Sequence, residues 1–161
     1  MVEASEHCYL IGIGSNMRVP GIGNPRAVII HAVDAVAELG LDVAAVSRVI
    51  ETRPVGPASR NYANAAAIVY TQLDPPQVLH RFKEIEAAFG RRHRGLRWRA
   101  RPLDLDLVLW SGGIWVSPEL AIPHPHFRTR PFVIRPAAEV APGWKDPVTG
   151  LTLRQLAFRG A

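Results

Sequence analysis

The eight residues LDLDLVLW, Leu103 to Trp110, constrain the fold more than any other stretch. In an extended chain, alternate residues point to opposite faces. Leu103, Leu105, Leu107 and Leu109 therefore share one face, and Asp104 and Asp106 share the other. The leucine face suits packing against helices. The two carboxylates, roughly 7 Å apart at Cβ from a rise of ~3.3 Å per residue, repel each other. Either this is a half-solvated edge strand with an acidic face, or a cation sits between the aspartates.

Composition sets the frame around that strand. The chain has 161 residues, enough for one domain with a sizeable core, and 48% of them are hydrophobic. No apolar run approaches the ~18–20 residues that span a bilayer. The start, MVEASEHCYL, lacks the basic and apolar regions of a signal peptide. Cys8 is the single cysteine, so no internal disulfide forms, and a reducing cytoplasmic setting is expected. The net charge is +5, yet the segment RRHRGLRWRAR (Arg91 to Arg101) holds six arginines and no acid. The rest of the chain carries 13 basic and 14 acidic residues. The excess charge is local, which predicts an anion site rather than a generally basic protein. Arginine's planar fork suits phosphate.

Along the chain, CYLIGIG (Cys8 to Gly14) reads as a buried strand and SNMRVPGIG (Ser15 to Gly23) as a loop. Asn24 is a predicted N-cap with Pro25 at the first helical position. Val28, Ile29, Ala32, Val33, Val36 and Ala37 follow at helical spacing, with Gly40 as the stop. LDVAAVSRVIET (Leu41 to Thr52) and NAAAIVYTQL (Asn64 to Leu73) read as paired extended runs. Asp74, Pro75 and Gln77 predict a capping box. The helix they open has a stripe of Val78, Leu79, Phe82, Ile85 and Phe89, ending at Gly90. After the leucine–aspartate strand come a turn at Ser111 to Gly113, a short partner strand IWV, and a tail rich in Pro and His. The order β-α-β-β-α-β predicts a single α+β domain of ferredoxin-like type, an antiparallel sheet with two helices on one face, plus a hairpin and tail.

An acidic pair just beyond an arginine-rich loop is the combination that a Mg²⁺–polyphosphate substrate requires. Carboxylates hold the metal and arginines neutralise phosphate oxygens. Five ordered blocks then match one family: YLIGIGSN, ETRPVGPASRNYANAAA, IEAAFGRRHR, RWRARPLDLDLVLW and IPHPHFRTRPFVIRPAAEVAP. The sequence resembles the 6-hydroxymethyl-7,8-dihydropterin pyrophosphokinases of folate biosynthesis, from Tyr9 to about Leu156.

The resemblance implies transfer of the terminal pyrophosphate of ATP to the hydroxymethyl group of the reduced pterin, with release of AMP. It implies two Mg²⁺ ions bridging ATP to Asp104 and Asp106, and catalysis chiefly by in-line positioning and charge neutralisation. Residue by residue, it implies a pterin pocket of Thr52, Val55, Tyr62, Asn64, Trp98 and Phe132. It places Glu86, Arg91, His93, Arg101, Leu107, His124 and Arg130 on the ATP side, with Arg91 and Arg101 as the catalytic arginines. Read without the family, Tyr62 and Phe132 are core aromatics first, Asn64 a loop terminator, Glu86 a solvated carboxylate and His124 a structural histidine. His126 has no support from the resemblance.

The sequence departs from the family pattern at Arg53, Lys83, His93 and Pro125, and its first loop is a few residues longer than in short members. A monomer in the cytoplasm, without nucleic-acid or membrane partners, is expected. The loops Met17 to Gly23 and Arg91 to Arg101 are expected to close over the substrates. Two other classes compete. A nucleic-acid module would explain the arginines but leave Asp104 and Asp106 repelling phosphate. A catalytically dead relative, kept for interaction, would not need the metal and arginine positions that are all present.

Overall fold

In the computed structural model, residues 5–52, 61–91 and 102–160 are described. β1 (His7–Ser15) lies inside the main sheet, flanked by β4 (Tyr62–Thr71) and β5 (Asp104–Trp110). β2 (Asp42–Val46) and β3 (Ile50–Thr52) both pair with the far side of β4, and every pairing is antiparallel. Counted as one interrupted strand, β2 and β3 complete the β-α-β-β-α-β order. The interruption was not expected for the run Leu41 to Thr52. It falls at Ser47, whose N–H donates to Ala66 O (2.8 Å) and whose hydroxyl accepts from Ala66 N (2.9 Å). A side chain there substitutes for a ladder acceptor and lets the strand change course.

The helix signals act as the sequence requires. Asn24 accepts from Ala27 N at 3.0 Å to open α1 (Pro25–Glu38), and Gly40 follows it at φ +87°. Asp74 and Gln77 cap each other's backbone, at 2.8 and 3.0 Å, at the start of α2 (Pro75–Arg91). Gly90 does not end that helix; it continues through Arg91. Val28, Ile29, Ala32 and Val36 of α1 and Val78, Phe82, Ile85 and Phe89 of α2 form one layer. They pack on Tyr9, Ile11 and Ile13 of β1 and on Leu105 and Leu107 of β5, while Ala37 is exposed.

Three features depart from the sequence reading. Leu109 does not share the face of Leu105 and Leu107. Leu10 pairs with Leu109 and Ile11 with Leu107, so Val108 is an extra residue on β5. That bulge reverses the alternation, and Leu109 joins Leu10 on the opposite face. The segment IWV does not pair with β5. β6 (Trp115–Ser117) pairs with β7 (Leu120–Ile122), because the two-residue link Pro118–Glu119 brings a nearer partner. The tail is also more than a tail. α3 (Pro131–Val140) and α4 (Leu153–Arg159) cover the second sheet face, packing Ile134, Ala137, Leu153 and Leu156 on Leu10, Ile68 and Val108. Pro136 inside α3 and the short length of α4 hid them from a reading by periodicity.

The first loop is anchored at its far end. Val19 and Gly23 exchange backbone hydrogen bonds, both 2.9 Å, and Met17 and Val19 are buried. The second anchored turn lies between α3 and α4. There Asp146, fully buried, accepts from Arg128 Nε (2.6 Å) and Nη2 (2.7 Å), Thr149 Oγ1 (2.7 Å) and Val148 N (3.0 Å). Burial alone would raise the pKa of this carboxyl. The hydrogen bonds from Arg128, Thr149 and Val148 outweigh it and hold the pKa down, at about 2 against an ordinary 3.8.

A carboxylate whose folded-state pKa is depressed stabilises the fold above its unfolded value and loses that contribution as pH falls through the folded one. The contribution of Asp146, roughly 2 kcal/mol, should therefore be intact above about pH 4 and disappear towards pH 2. Thermal melts between pH 5 and pH 2 test this. The loss in stability over that range should be smaller by this amount in Asp146→Asn, which melts lower at pH 5; an unchanged slope would contradict the assignment.

Candidate active site

The site begins with one row of residues across three strands. Asn64 of β4, Gly14 of β1 and Asp104 of β5 lie in register, and Asp106 pairs with Gly12 one pleat further on. Both glycines matter for space. A Cβ on Gly14 would lie 3.0 Å from Asn64 Oδ1 and 4.0 Å from Asp104 Cβ. A Cβ on Gly12 would lie 3.9 Å from Asp106 Cβ. Glycine at these positions leaves a trough between an amide on one bank and two carboxylates on the other.

That trough opens into a cavity of about 600 Å³. Thr52 pairs directly with Tyr62, two residues before Asn64 on the same face, and both line the cavity. Arg130 and Phe132, where the chain enters α3, form the facing wall together with Val133. Tyr62 is 50% and Phe132 42% exposed. Neither is a core aromatic, so both rings have surface available to a planar ligand. Asp104 and Asp106 are half-buried and line the same cavity. Among the described residues no cluster of three or more His, Cys, Asp or Glu is placed to hold a metal. Two carboxylate ligands are the donor set that Mg²⁺ takes when substrate phosphates and water complete its octahedron.

The other described candidates, His124, Glu86 and Leu107, do not line this cavity. His124 is half-buried; its N–H donates to Val108 O (3.0 Å), and its Nδ1 accepts from His126 N (3.2 Å). Burial pushes its pKa down, with Arg130 and His126 adding to the effect and Asp104 opposing it. His124 is thus neutral at pH 7, with Nε2–H as its donor. Glu86 turns to the edge of β5. Its Oε2 accepts from Leu105 N (2.9 Å), and its Oε1 lies 3.2 Å from Lys83 Nζ. The carboxylate thereby satisfies an N–H that an edge strand would leave open. The Leu107 side chain is buried against α1 and α2, so only its backbone is available to a ligand. Val55, His93, Trp98 and Arg101 lie outside the described residues, as does the side chain of Arg91.

Sequence reasoning overlooked several lining residues. Gly12, Gly14 and Asn16 border the cavity, and all three lie in the YLIGIGSN block whose pattern carried the resemblance. The Asn16 side-chain oxygen is buried with no hydrogen-bond partner among the described residues. Alternation from Asp104 across the register would have found Gly12 and Gly14; nothing local marks Arg128 and Asp146, which meet across 18 residues.

The chain is similar to known proteins over most of its length. The family model for 7,8-dihydro-6-hydroxymethylpterin-pyrophosphokinase matches residues 10–142. A 2-amino-4-hydroxy-6-hydroxymethyldihydropteridine pyrophosphokinase of Synechocystis sp. is 36% identical over 154 residues, covering 93% of this chain and 74% of that protein. One from Pseudomonas aeruginosa is 36% identical over 139 residues, covering 85% and 82%. A folate synthesis bifunctional protein of Arabidopsis thaliana is 34% identical over 132 residues, and this chain spans only 26% of it. Among solved structures, an HPPK-DHPS protein of Plasmodium falciparum superposes with a TM-score of 0.72 at 15% identity, over 98% of this chain and 42% of that one. That likeness supports the fold, and the sequence matches settle the relationship: the chain belongs to the 7,8-dihydro-6-hydroxymethylpterin-pyrophosphokinase family.

Proposed function

We propose that the trough between Asn64 and the aspartate pair is where this pyrophosphokinase of folate biosynthesis joins its two substrates. Pyrophosphate passes from ATP to the hydroxymethyl group of 6-hydroxymethyl-7,8-dihydropterin, and AMP leaves. One observation carries the reading: Asp104 and Asp106 open onto the same cavity as Asn64, Tyr62 and Phe132, separated from Asn64 by glycine.

The pterin lies with its flat ring against Tyr62 and Phe132, and Asn64 reads its edge, since an amide both donates and accepts. Thr52 closes that end, with Val55 and Trp98 assigned to the same pocket by family position. The hydroxymethyl group then points towards the carboxylates. Asp104 and Asp106 are the residues that would hold Mg²⁺, two ions by the family resemblance, and the metal would supply charge neutralisation for the transferring phosphates. Arg130 faces the same space and offers a planar fork to phosphate oxygens. His124, neutral, contributes an Nε2–H donor. Arg91, His93 and Arg101 complete the phosphate side, and Glu86 and Leu107 border the nucleotide through the edge of β5. A monomer in the cytoplasm completes the reading, and the lone Cys8 supports that setting. No helix among the described residues is long and apolar enough to cross a membrane.

AMP release from ATP, Mg²⁺ and the pterin, with pterin omitted as control, tests the reaction. Pterin-dependent AMP in equal yield with pterin pyrophosphate is expected, abolished by a chelator and restored by Mg²⁺. AMP formed equally without pterin would contradict the acceptor. Asp104→Ala and Asp106→Ala should each lower kcat by ~100-fold or more, with melting temperatures close to the parent's. Variants that unfold but retain normal specific activity in the folded fraction would refute a catalytic metal role.

Gly14→Ala tests the trough itself. Its new Cβ meets Asn64 Oδ1 at 3.0 Å, so the KM for pterin should rise about tenfold, the ~1.4 kcal/mol effect of one overpacked contact. The KM for ATP should move much less. Equal rises for both substrates would place the pterin elsewhere.

A further inference from the structure

The cavity wall that carries Arg130 and Phe132 is not part of the sheet. It is a strap that leaves β7, crosses the second face and enters α3. His124 N–H on Val108 O fixes its first part, and Phe127, fully buried, plugs the second core. A 3₁₀ turn over Phe127–Thr129 follows. Arg130 then serves as the N-cap of α3 without a side-chain capping bond, and its carbonyl accepts from Val133 N (2.9 Å) and Ile134 N (3.0 Å). Among the described residues Arg130 has no strand partner, and its N–H donates to Phe127 O at 3.2 Å.

Two residues before Arg130, the Arg128 side chain ties the strap to the turn between α3 and α4. Its guanidinium makes the two-pronged contact with Asp146 and stands 4.7 Å from the centre of the Phe127 ring. Asp146 is itself immobilised. Its N–H donates to Leu151 O, its carbonyl accepts from Gly150 N (both 2.8 Å), and Leu153 N binds Trp144 O at 2.9 Å, tying the turn to α4. A buried ion pair adds little net stability beyond what apolar packing would provide, and its planar, bidentate geometry is specific. The pair also separates two arginines two residues apart in the chain: Asp146 engages Arg128, while Arg130 lines the cavity.

We propose that Arg128 and Asp146 are a positioning pair, which sets Arg130 and Phe132 in the cavity wall and thereby the substrate affinity, without touching either substrate. The proposal rests on reading the cavity as the pterin and ATP site. Asp146→Asn should raise the KM for both substrates about tenfold, in line with the effect of small misplacements at a reacting centre, with a smaller fall in kcat. In the free protein, the Val133 and Ile134 amides should exchange faster, while those of Leu10 and Ile68 in the sheet keep their protection.

The double variant Arg128→Met/Asp146→Leu separates positioning from stability. It should melt close to the parent temperature yet keep the raised KM. A folded Asp146→Asn protein with parental KM values, or a double variant that regains both stability and affinity, would overturn the proposal. So would a uniform loss of protection across sheet and wall. If Asp146→Asn does not fold, the double variant alone decides. Should the parent form no pterin-dependent AMP, the functional reading fails, and amide exchange still decides whether the pair fixes the wall.

Discussion

The pleat of β5 turns Leu105 and Leu107 into the layer made by α1 and α2, and by the same geometry turns Asp104 and Asp106 to the opposite face. Burial of the leucines fixes the register, since a one-residue slip would drive both carboxylates into the apolar layer. The bulge at Val108 then changes the phase, so that the far end of the strand contributes Val108 and Leu109 to the second core. One strand therefore has an acidic half facing a cavity and an apolar half beneath α3 and α4. The site lies where that cover stops.

What makes the site a cavity is an absence of side chains in the strand next to it. Gly12 and Gly14 of β1 lie between the aspartates and Asn64, and the sheet there is bare backbone. The strap from His124 to Phe132 brings Arg130 and Phe132 to the same cavity, and the Phe132 ring is partly exposed. Acidic and basic groups thus line the same space.

Much of this was legible in the residues. Period-two alternation located the aspartate face, and Asn24, Asp74 and Gln77 announced α1 and α2 by hydrogen bonds made within three residues. The bulge was not legible, because Val108 and Leu109 are both apolar and either phase satisfies an apolar pattern. The Arg128–Asp146 contact was not either, since an arginine in a basic chain and an aspartate in a turn look ordinary until the fold joins them. Thr52, Tyr62, Asn64, Phe132, Asp104, Asp106 and Arg130 were expected around one centre, and all line one cavity. Glu86 shows the limit of position-by-position inference: its carboxylate is also the partner of the Leu105 N–H, a duty set by the open edge of β5.

The most direct test of the account is a crystal structure of the protein with Mg²⁺, a nonhydrolysable ATP analogue and 6-hydroxymethyl-7,8-dihydropterin. The account predicts metal density about 2.0–2.1 Å from carboxylate oxygens of Asp104 and Asp106, the pterin edge on Asn64, and its ring between Tyr62 and Phe132. Pterin or nucleotide bound away from this trough, or metal held by the phosphates without either aspartate, would contradict it.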